Sequence, residues 1–374
     1  MRKTPEPASR DCDPYDISVI IPTRDRIDDL IRCVNSLRLM EHHKVEILIM
    51  DDGSVNPIEP LLRKVLPHDF KMPLRVMRHE TSRGIIRSLN ELSWAASGRY
   101  LFTMNDDAYL LDHKSIDQAV HVLDSDPKSG AVALSQTDST GRQVSYQPGN
   151  TLCPPIMRAF YGERYRTGNS TEPAIVRAFY GYGALIRRST FINLGGYREV
   201  FFYYAEEPEY CKRMLAAGYH VVYIPDGHVA HCPNQVGRSM ARITAYMWRN
   251  GCYSSILNES LLRIMVSVPA RLLQFLVYRI RIGGTNSREE SRQWGLGWIL
   301  REMRRDFPRL IRERKKLPRS AISRWAKLRT PLPYRIPDAV LQKQSYRDSI
   351  ASIAKGGDSY SPNISMKKTA CANK

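Results

Sequence analysis

The chain has 374 residues, 43% of them hydrophobic, enough to bury a sizeable core as one large domain with an appendage or as two domains. Its seven cysteines are scattered, odd in number and form no C-x-x-C pair, which excludes a disulfide framework and predicts reduced thiols on a cytosolic face. The net charge of +18 is concentrated at one end: residues 261–374 hold 25 Lys/Arg against 8 Asp/Glu, and residues 1–260 hold 31 against 30. That asymmetry predicts an anionic partner for the C-terminal part, whether membrane surface, nucleic acid or acidic polymer.

The N-terminal run MRKTPEPASRDCDPYD is polar and shows no apolar core of a signal peptide; residues 1–14 are expected to be flexible. ISVIIP (17–22), VEILIMD (45–51), LRVMRHE (74–80) and RYLFTMN (99–105) are short, apolar and bounded by turn residues, as strands are. Helical spacing fills 27–39, 57–66 and 84–97 between them. Strands alternating with helices predict an α/β fold with a mostly parallel sheet. AVALSQ (131–136) and VVYIP (221–225) are further strands, and 137–173, rich in Gly, Pro, Ser, Thr and Asn, is expected to be a long loop over the sheet. A helix is predicted from about 206 to 217, with Pro208 near its start, acids in its first turn and Gly218 after its last. The expected division is a catalytic domain over 15–235, a basic helical region over 236–335, and a polar, partly disordered tail over 336–374.

Acidic residues recur where strands end or helices begin: Asp25, then Asp51 and Asp52, then Asp106 and Asp107, then Glu206, Glu207 and Glu209. In an open α/β sheet these positions converge at the carboxyl edge, where ligands bind. The strands ending at Pro22-Thr23-Arg24 and at Asp51-Asp52-Gly53 should be neighbours, so that their loops form one pocket. A carboxylate there can accept from a uracil- or thymine-type N–H. Taken singly, Asp52-Gly53 also reads as an ordinary turn and Asp25 as a helix cap.

Jointly these motifs resemble glycosyltransferase family 2, over roughly residues 15–235. The resemblance implies a GT-A (Rossmann-like) fold, flanked by helices and extended here by the basic helical region. It implies a nucleotide or donor site at Pro22, Thr23, Arg24, Asp25, Asp52, Arg83, Asn105 and Asp106, with Arg87 as a weaker alternative to Arg83. Asn105-Asp106-Asp107 looks like the family's D-x-D motif with Asn in the first position. By that likeness Asp107 ligates a metal, Mn²⁺ or Mg²⁺, and His231, rather than His228, completes the site. Glu206-Glu207-Pro208-Glu209 matches the family's catalytic acid-acid-x-acid arrangement, so Glu207 would be the general base, with Glu206 left open as its alternative. Gly181, Gly183 and Glu209 fall on the acceptor side.

The expected activity is inverting, metal-dependent transfer of a hexosyl or rhamnosyl group from a UDP- or dTDP-sugar to a hydroxyl of a glycan or lipid-linked acceptor, as in bacterial polysaccharide synthesis. A cytoplasmic location is expected, peripheral on the inner face of the membrane, with an anionic membrane surface as partner and nucleic acid not expected. Two rivals share the sheet: a non-catalytic binding protein with a basic nucleic-acid- or membrane-binding tail, and a nucleotidyltransferase. Residues 261–282 carry apolar stretches of seven residues between Arg263, Arg271 and Arg279, interrupted by Pro269. They are expected to lie on a membrane rather than span it.

Overall fold

The computed structural model describes residues 14–137, 143–145, 172–232, 239–282, 293–328 and 331–337. The N-terminus, most of the loop expected at 137–173 and the tail from 338 lie outside the described residues. In the first hundred residues β1 (Tyr15–Thr23), α1 (Ile27–Ser36), β2 (Val45–Asp52), α2 (Ile58–Val65), β3 (Leu74–His79), α3 (Ile85–Ala95) and β4 (Gly98–Thr103) follow the predicted alternation. Then come β5 (Ala108–Leu110), α4 (Lys114–Ser125), β6 (Ser129–Thr137), β7 (Gln143–Ser145), β8 (Ala174–Val176), β9 (Ala184–Arg187) and α5 (Arg188–Asn193). The chain continues through α6 (Glu206–Ala216), β10 (His220–His231), α7 (Met240–Asn258), α8 (Leu261–Ile282), α9 (Leu296–Glu313), α10 (Arg319–Lys327) and β11 (Leu332–Pro333).

The strands form one sheet in the order β11-β8-β10-β6-β9-β4-β1-β2-β3, with β5 on β10 and β7 on β6. β3, β2, β1 and β4 are mutually parallel, and so are β6 and β10, while β9 runs antiparallel between β4 and β6. Every residue of β2 is buried, as a central strand covered on both faces requires. Of its buried carboxylates, Glu46 lies in the body of the strand and accepts from Ser18 Oγ at 2.5 Å and from the Ser97 N–H at 2.6 Å, which satisfies it inside the sheet. Thr23 lies opposite Asp51 in the β1–β2 register, so the two loops expected to share a pocket do emerge side by side.

The strand predicted at 221–225 runs on to His231 as the twelve-residue β10, with a bulge where its register against β6 shifts between Ile224 and His228. The basic region is also tied into the main body. β11 adds an edge strand to β8, and the buried Arg249 of α7 pairs with Glu302 of α9 at 3.0 Å.

Candidate active site

A cavity of about 510 Å³ opens at the carboxyl ends of β1, β2 and β4 and is closed on the other side by the start of α6. Thr23 ends β1 and its hydroxyl donates to Asp106 Oδ2 at 2.8 Å. Arg26 reaches in from the residue before α1, with Nη1 3.3 Å from Asp106 Oδ1 and 2.8 Å from Asp107 Oδ2. Burial first, and then the Asp107 charge, push the Asp106 carboxyl up to about 7. Burial acts on Asp107 too, but His231 and Arg26 outweigh it and hold that carboxyl below the usual range.

Asp107 Oδ1 and His231 Nε2 are buried and face each other at 3.2 Å, within ion-pair reach, and neither has a further hydrogen-bond partner. Two ligand-type atoms with no other partner, meeting at the wall of one cavity, suit a cation site. One carboxylate oxygen and one imidazole nitrogen are donors that Mn²⁺ or Mg²⁺ accepts, so the residues present fit a divalent metal. The His231 ring is stacked on Tyr182, with centroids 4.4 Å apart, and its Nδ1 lies 3.3 Å from the Gln136 amide nitrogen. Tyr182 in turn donates its hydroxyl to Gln136 Oε1 at 2.7 Å. The oxygen and nitrogen of this amide exchange by a flip. With its oxygen toward the ring, Gln136 accepts the Nδ1 proton, its amide N–H turns to the Tyr182 hydroxyl, which then accepts instead of donating, and the Nε2 lone pair faces Asp107.

The two glutamates differ in position. Both line the cavity, but Glu206 is buried and its Oε2 has no hydrogen-bond partner, whereas Glu207 is half-buried with Oε1 3.2 Å from the Gly181 N–H. A Cβ at Gly181 would stand 3.2 Å from that same oxygen, so glycine permits the close approach. Burial, followed by the Glu207 charge, pushes Glu206 well above the ordinary carboxylate range; burial raises Glu207 against the N–H donors of its own helix start and of Gly181. Both glutamates follow a backbone segment with positive φ at three non-glycine residues: Phe202 at 60°, Tyr204 at 65° and Ala205 at 69°. Asn250 of α7 holds that segment, its Nδ2 lying 3.0, 2.7 and 2.7 Å from the carbonyls of Phe201, Tyr203 and Tyr204.

Eleven of the residues picked from sequence line this one cavity: Pro22, Thr23, Arg24, Asp52, Asn105, Asp106, Asp107, Gly181, Glu206, Glu207 and His231. Four do not. Asp25, at φ 54°, ties its loop to the next by accepting the Val55 N–H at 2.7 Å, and Gly183 makes room for Val229. Glu209 is buried in ion pairs with Arg213 at 3.0 Å and Arg198 at 3.1 Å. Arg83 faces a separate cavity of about 250 Å³, with Arg87 and Arg309. Asp52 touches the site, but its oxygens are used by its own neighbourhood: His79 Nδ1 at 2.7 Å, Ser82 Oγ at 2.6 Å, and the N–H groups of Arg83 and Gly84 at 2.8 and 3.0 Å. It therefore shapes the 81–84 loop, and reading a base through it would require breaking one of these bonds. Sequence reasoning missed Arg26, Gln136, Tyr182 and the Tyr203-Tyr204 wall. Only Arg26, in the run PTRDR, stood inside a motif that could have flagged it.

Residues 18–195 match the model of Glycosyl transferase family 2. Curated relatives include an uncharacterized glycosyltransferase of Haemophilus influenzae, 25% identical over 111 residues, covering 30% of this chain and 35% of that protein. The glycosyltransferase GlyG of Streptococcus pneumoniae is 24% identical over 139 residues, covering 37% and 45%. The chain thus spans less than half the length of either relative. Among solved structures, the mannosyltransferase PcManGT from Pyrobaculum calidifontis, in complex with GDP-Man and Mn²⁺, aligns with a TM-score of 0.51 at 14% identity, covering 84% of each chain. GalNAc-T7 with UDP, GalNAc and Mn²⁺ aligns with a TM-score of 0.52 at 17% identity, covering 79% of this chain and 58% of that one. At these identities the likeness is one of fold, and the fold is GT-A.

Proposed function

We propose that this chain, whose residues 18–195 match the model of Glycosyl transferase family 2, is an inverting, metal-dependent glycosyltransferase acting on a nucleoside diphosphate sugar. The observation that carries the reading is the meeting, in one cavity, of Asp107 Oδ1 and His231 Nε2, which have no partner but each other, with the half-buried Glu207. PcManGT and GalNAc-T7 carry GDP-Man and UDP respectively, each with Mn²⁺, which supports a sugar nucleotide as the donor class. Uridine and thymidine donors of hexoses and rhamnose are the first to screen, and a glycan or lipid-linked hydroxyl of a bacterial surface polymer is the proposed acceptor.

Asp107 and His231 would hold Mn²⁺ or Mg²⁺, which would supply positive charge to offset the negative charge developing on the departing diphosphate. Arg26 must yield Asp107 Oδ2 or share it when the donor binds, and its guanidinium is then placed to meet phosphate oxygens. Glu207 takes the proton of the acceptor hydroxyl. That oxygen forms its bond to the anomeric carbon as the bond from that carbon to the diphosphate oxygen breaks, with inversion in a single displacement. A carboxyl held above its usual pKa is a stronger base once ionised, and the Gly181 N–H fixes its direction. Burial is what keeps the Glu207 pKa high, and the buried Glu206 lies beside it at the start of α6. Tyr203 and Tyr204, at the wall of the cavity, offer the apolar surfaces on which sugar rings settle.

A donor screen by release of nucleoside diphosphate with Mn²⁺ or Mg²⁺ tests the class, and NMR of the product anomer tests inversion. Glu207→Gln should keep donor affinity and lower turnover by about 10² to 10⁴-fold. Asp107→Ala should abolish the metal dependence of nucleotide binding in calorimetry. Release that proceeds unchanged in both variants would overturn the reading.

A further inference from the structure

Helix α8 has two apolar faces, and the fold uses one of them. Phe275 is buried against Trp248 of α7, with Leu272 and Tyr278 beside it, and Ile264 and Val268 pack on the main core. The other face carries Leu262, Val266, Pro269, Leu273, Leu276 and Ile280, which recur at steps of four and three residues and so form one continuous stripe. Leu262, Val266, Leu273 and Ile280 are 73%, 71%, 62% and 81% exposed, and Met265 beside them is 72% exposed. Single exposed apolar residues are ordinary on a protein surface, but a contiguous row of this length marks an interaction surface.

Charge says what covers it. The segment from Leu261 onward holds 25 basic against 8 acidic residues. Arg263 and Arg279 fall on the two flanks of the stripe, and α9 repeats the arrangement, with exposed Leu300, Phe307 and Ile311 among Arg301, Arg304, Arg305 and Arg312. A protein partner with an apolar groove would be served by the stripe alone. The basic margins add what an anionic lipid surface requires, since each Lys or Arg held near such a surface contributes attraction.

We propose that α8 docks in the plane of an anionic lipid bilayer, with its stripe below the headgroups and Arg263 and Arg279 at their level. Leu261–Ile280 has the length and mean hydropathy, 20 residues and 1.5, of a helix that could cross a membrane. Crossing would surround the helix with lipid, pull Phe275 from Trp248, and expose Arg271, whose guanidinium lies over Gly251 of α7, to hydrocarbon. Docking in the plane leaves both contacts intact. It also brings the cavity to the membrane: Met247 lines it, and the next residue, Trp248, packs on α8. One helix thus separates the lipid face from the site, which suits a lipid-linked acceptor; that last step rests on the glycosyltransferase reading, while the docking does not.

Flotation of the full chain with vesicles tests the docking without any turnover. Vesicles of phosphatidylcholine containing about a third phosphatidylglycerol should bind it at least about tenfold better than phosphatidylcholine alone, and salt should weaken that binding. Serine at Leu262, Val266, Leu273 and Ile280 together should lower binding about tenfold or more, with unchanged Tm and unchanged Mn²⁺ affinity. Leu273→Asp alone provides the same comparison if the fourfold variant melts early. Equal binding to neutral vesicles, full binding by the serine and aspartate variants, resistance to alkaline carbonate extraction, or tight oligonucleotide binding with no vesicle binding would each overturn the proposal. Docking that persists in a chain showing no sugar transfer would overturn the proposed activity and leave the docking standing.

Discussion

Replacing Asn250 with Asp changes one amide nitrogen for oxygen and tests whether α7 sets the geometry of the catalytic helix. Asn250 is fully buried, and the two protons of its amide are shared among the carbonyls of Phe201, Tyr203 and Tyr204. Between and after those carbonyls lie Phe202, Tyr204 and Ala205 in left-handed backbone, a conformation that costs on the order of 1 to 3 kcal/mol per non-glycine residue and persists only where the surroundings enforce it. Aspartate cannot donate. Arg249 Nη2 still holds the Phe201 carbonyl at 2.7 Å, so the carbonyls of Tyr203 and Tyr204 lose their donor, at about 1 to 3 kcal/mol each when water does not reach them. The segment is then expected to relax out of the left-handed region, and Glu206 and Glu207, which follow it directly, move with it. A displacement near 1 Å is enough to lower turnover about 10²-fold. Steady-state kinetics should show the loss in kcat, with donor KM nearly unchanged. Calorimetry should show unaltered Mn²⁺ affinity, because Asp107 and His231 are placed by the sheet. A variant with normal kcat, or one that loses metal binding in step with activity, would refute the reasoning.

Gln136→Leu should weaken Mn²⁺ binding about 10- to 100-fold by calorimetry, because the imidazole of His231 loses the group that selects its tautomer; unchanged affinity would remove Gln136 from the metal site. Arg26→Gln should tighten Mn²⁺ binding in the absence of nucleotide by about tenfold or more, since a cation is removed from between two carboxylates, and weaker binding would show that Arg26 shapes the site without competing for it. Glu206→Gln should raise Tm at neutral pH. The folded-state pKa of Glu206 lies above its unfolded value, so its contribution to stability is present below about pH 4.3 and is lost as pH rises toward the folded pKa. The difference in Tm from the unaltered protein should therefore widen from about pH 4.3 upward, and a pH-independent difference would contradict the assignment.

The alternation of short apolar runs with helical spacing determined the parallel half of the sheet from sequence alone, because a strand buried on both faces reads as an unbroken run of Ile, Leu and Val. The same logic placed Thr23, Asp52, Asp107 and Glu207 together, since the ends of parallel strands and the start of a helix share one edge of an open sheet. Spacing could not decide which of these carboxylates is free. Asp52 and Glu209 look like Asp107 and Glu207 along the chain, yet one is consumed by a loop thirty residues on and the other by Arg198 and Arg213. Gln136 and Asn250 carry no local signal at all, because each acts on a residue far away in sequence: His231 in one case, the 201–204 segment in the other. The apolar stretches of α8 were legible, but their periodicity fits a core helix and a surface helix equally. Only the packing of Phe275 on Trp248 shows which face the core takes and leaves the opposite stripe to solvent. Sequence records the local preferences of the chain, and hydrogen bonds and ion pairs between distant segments decide which of its polar groups remain available for chemistry.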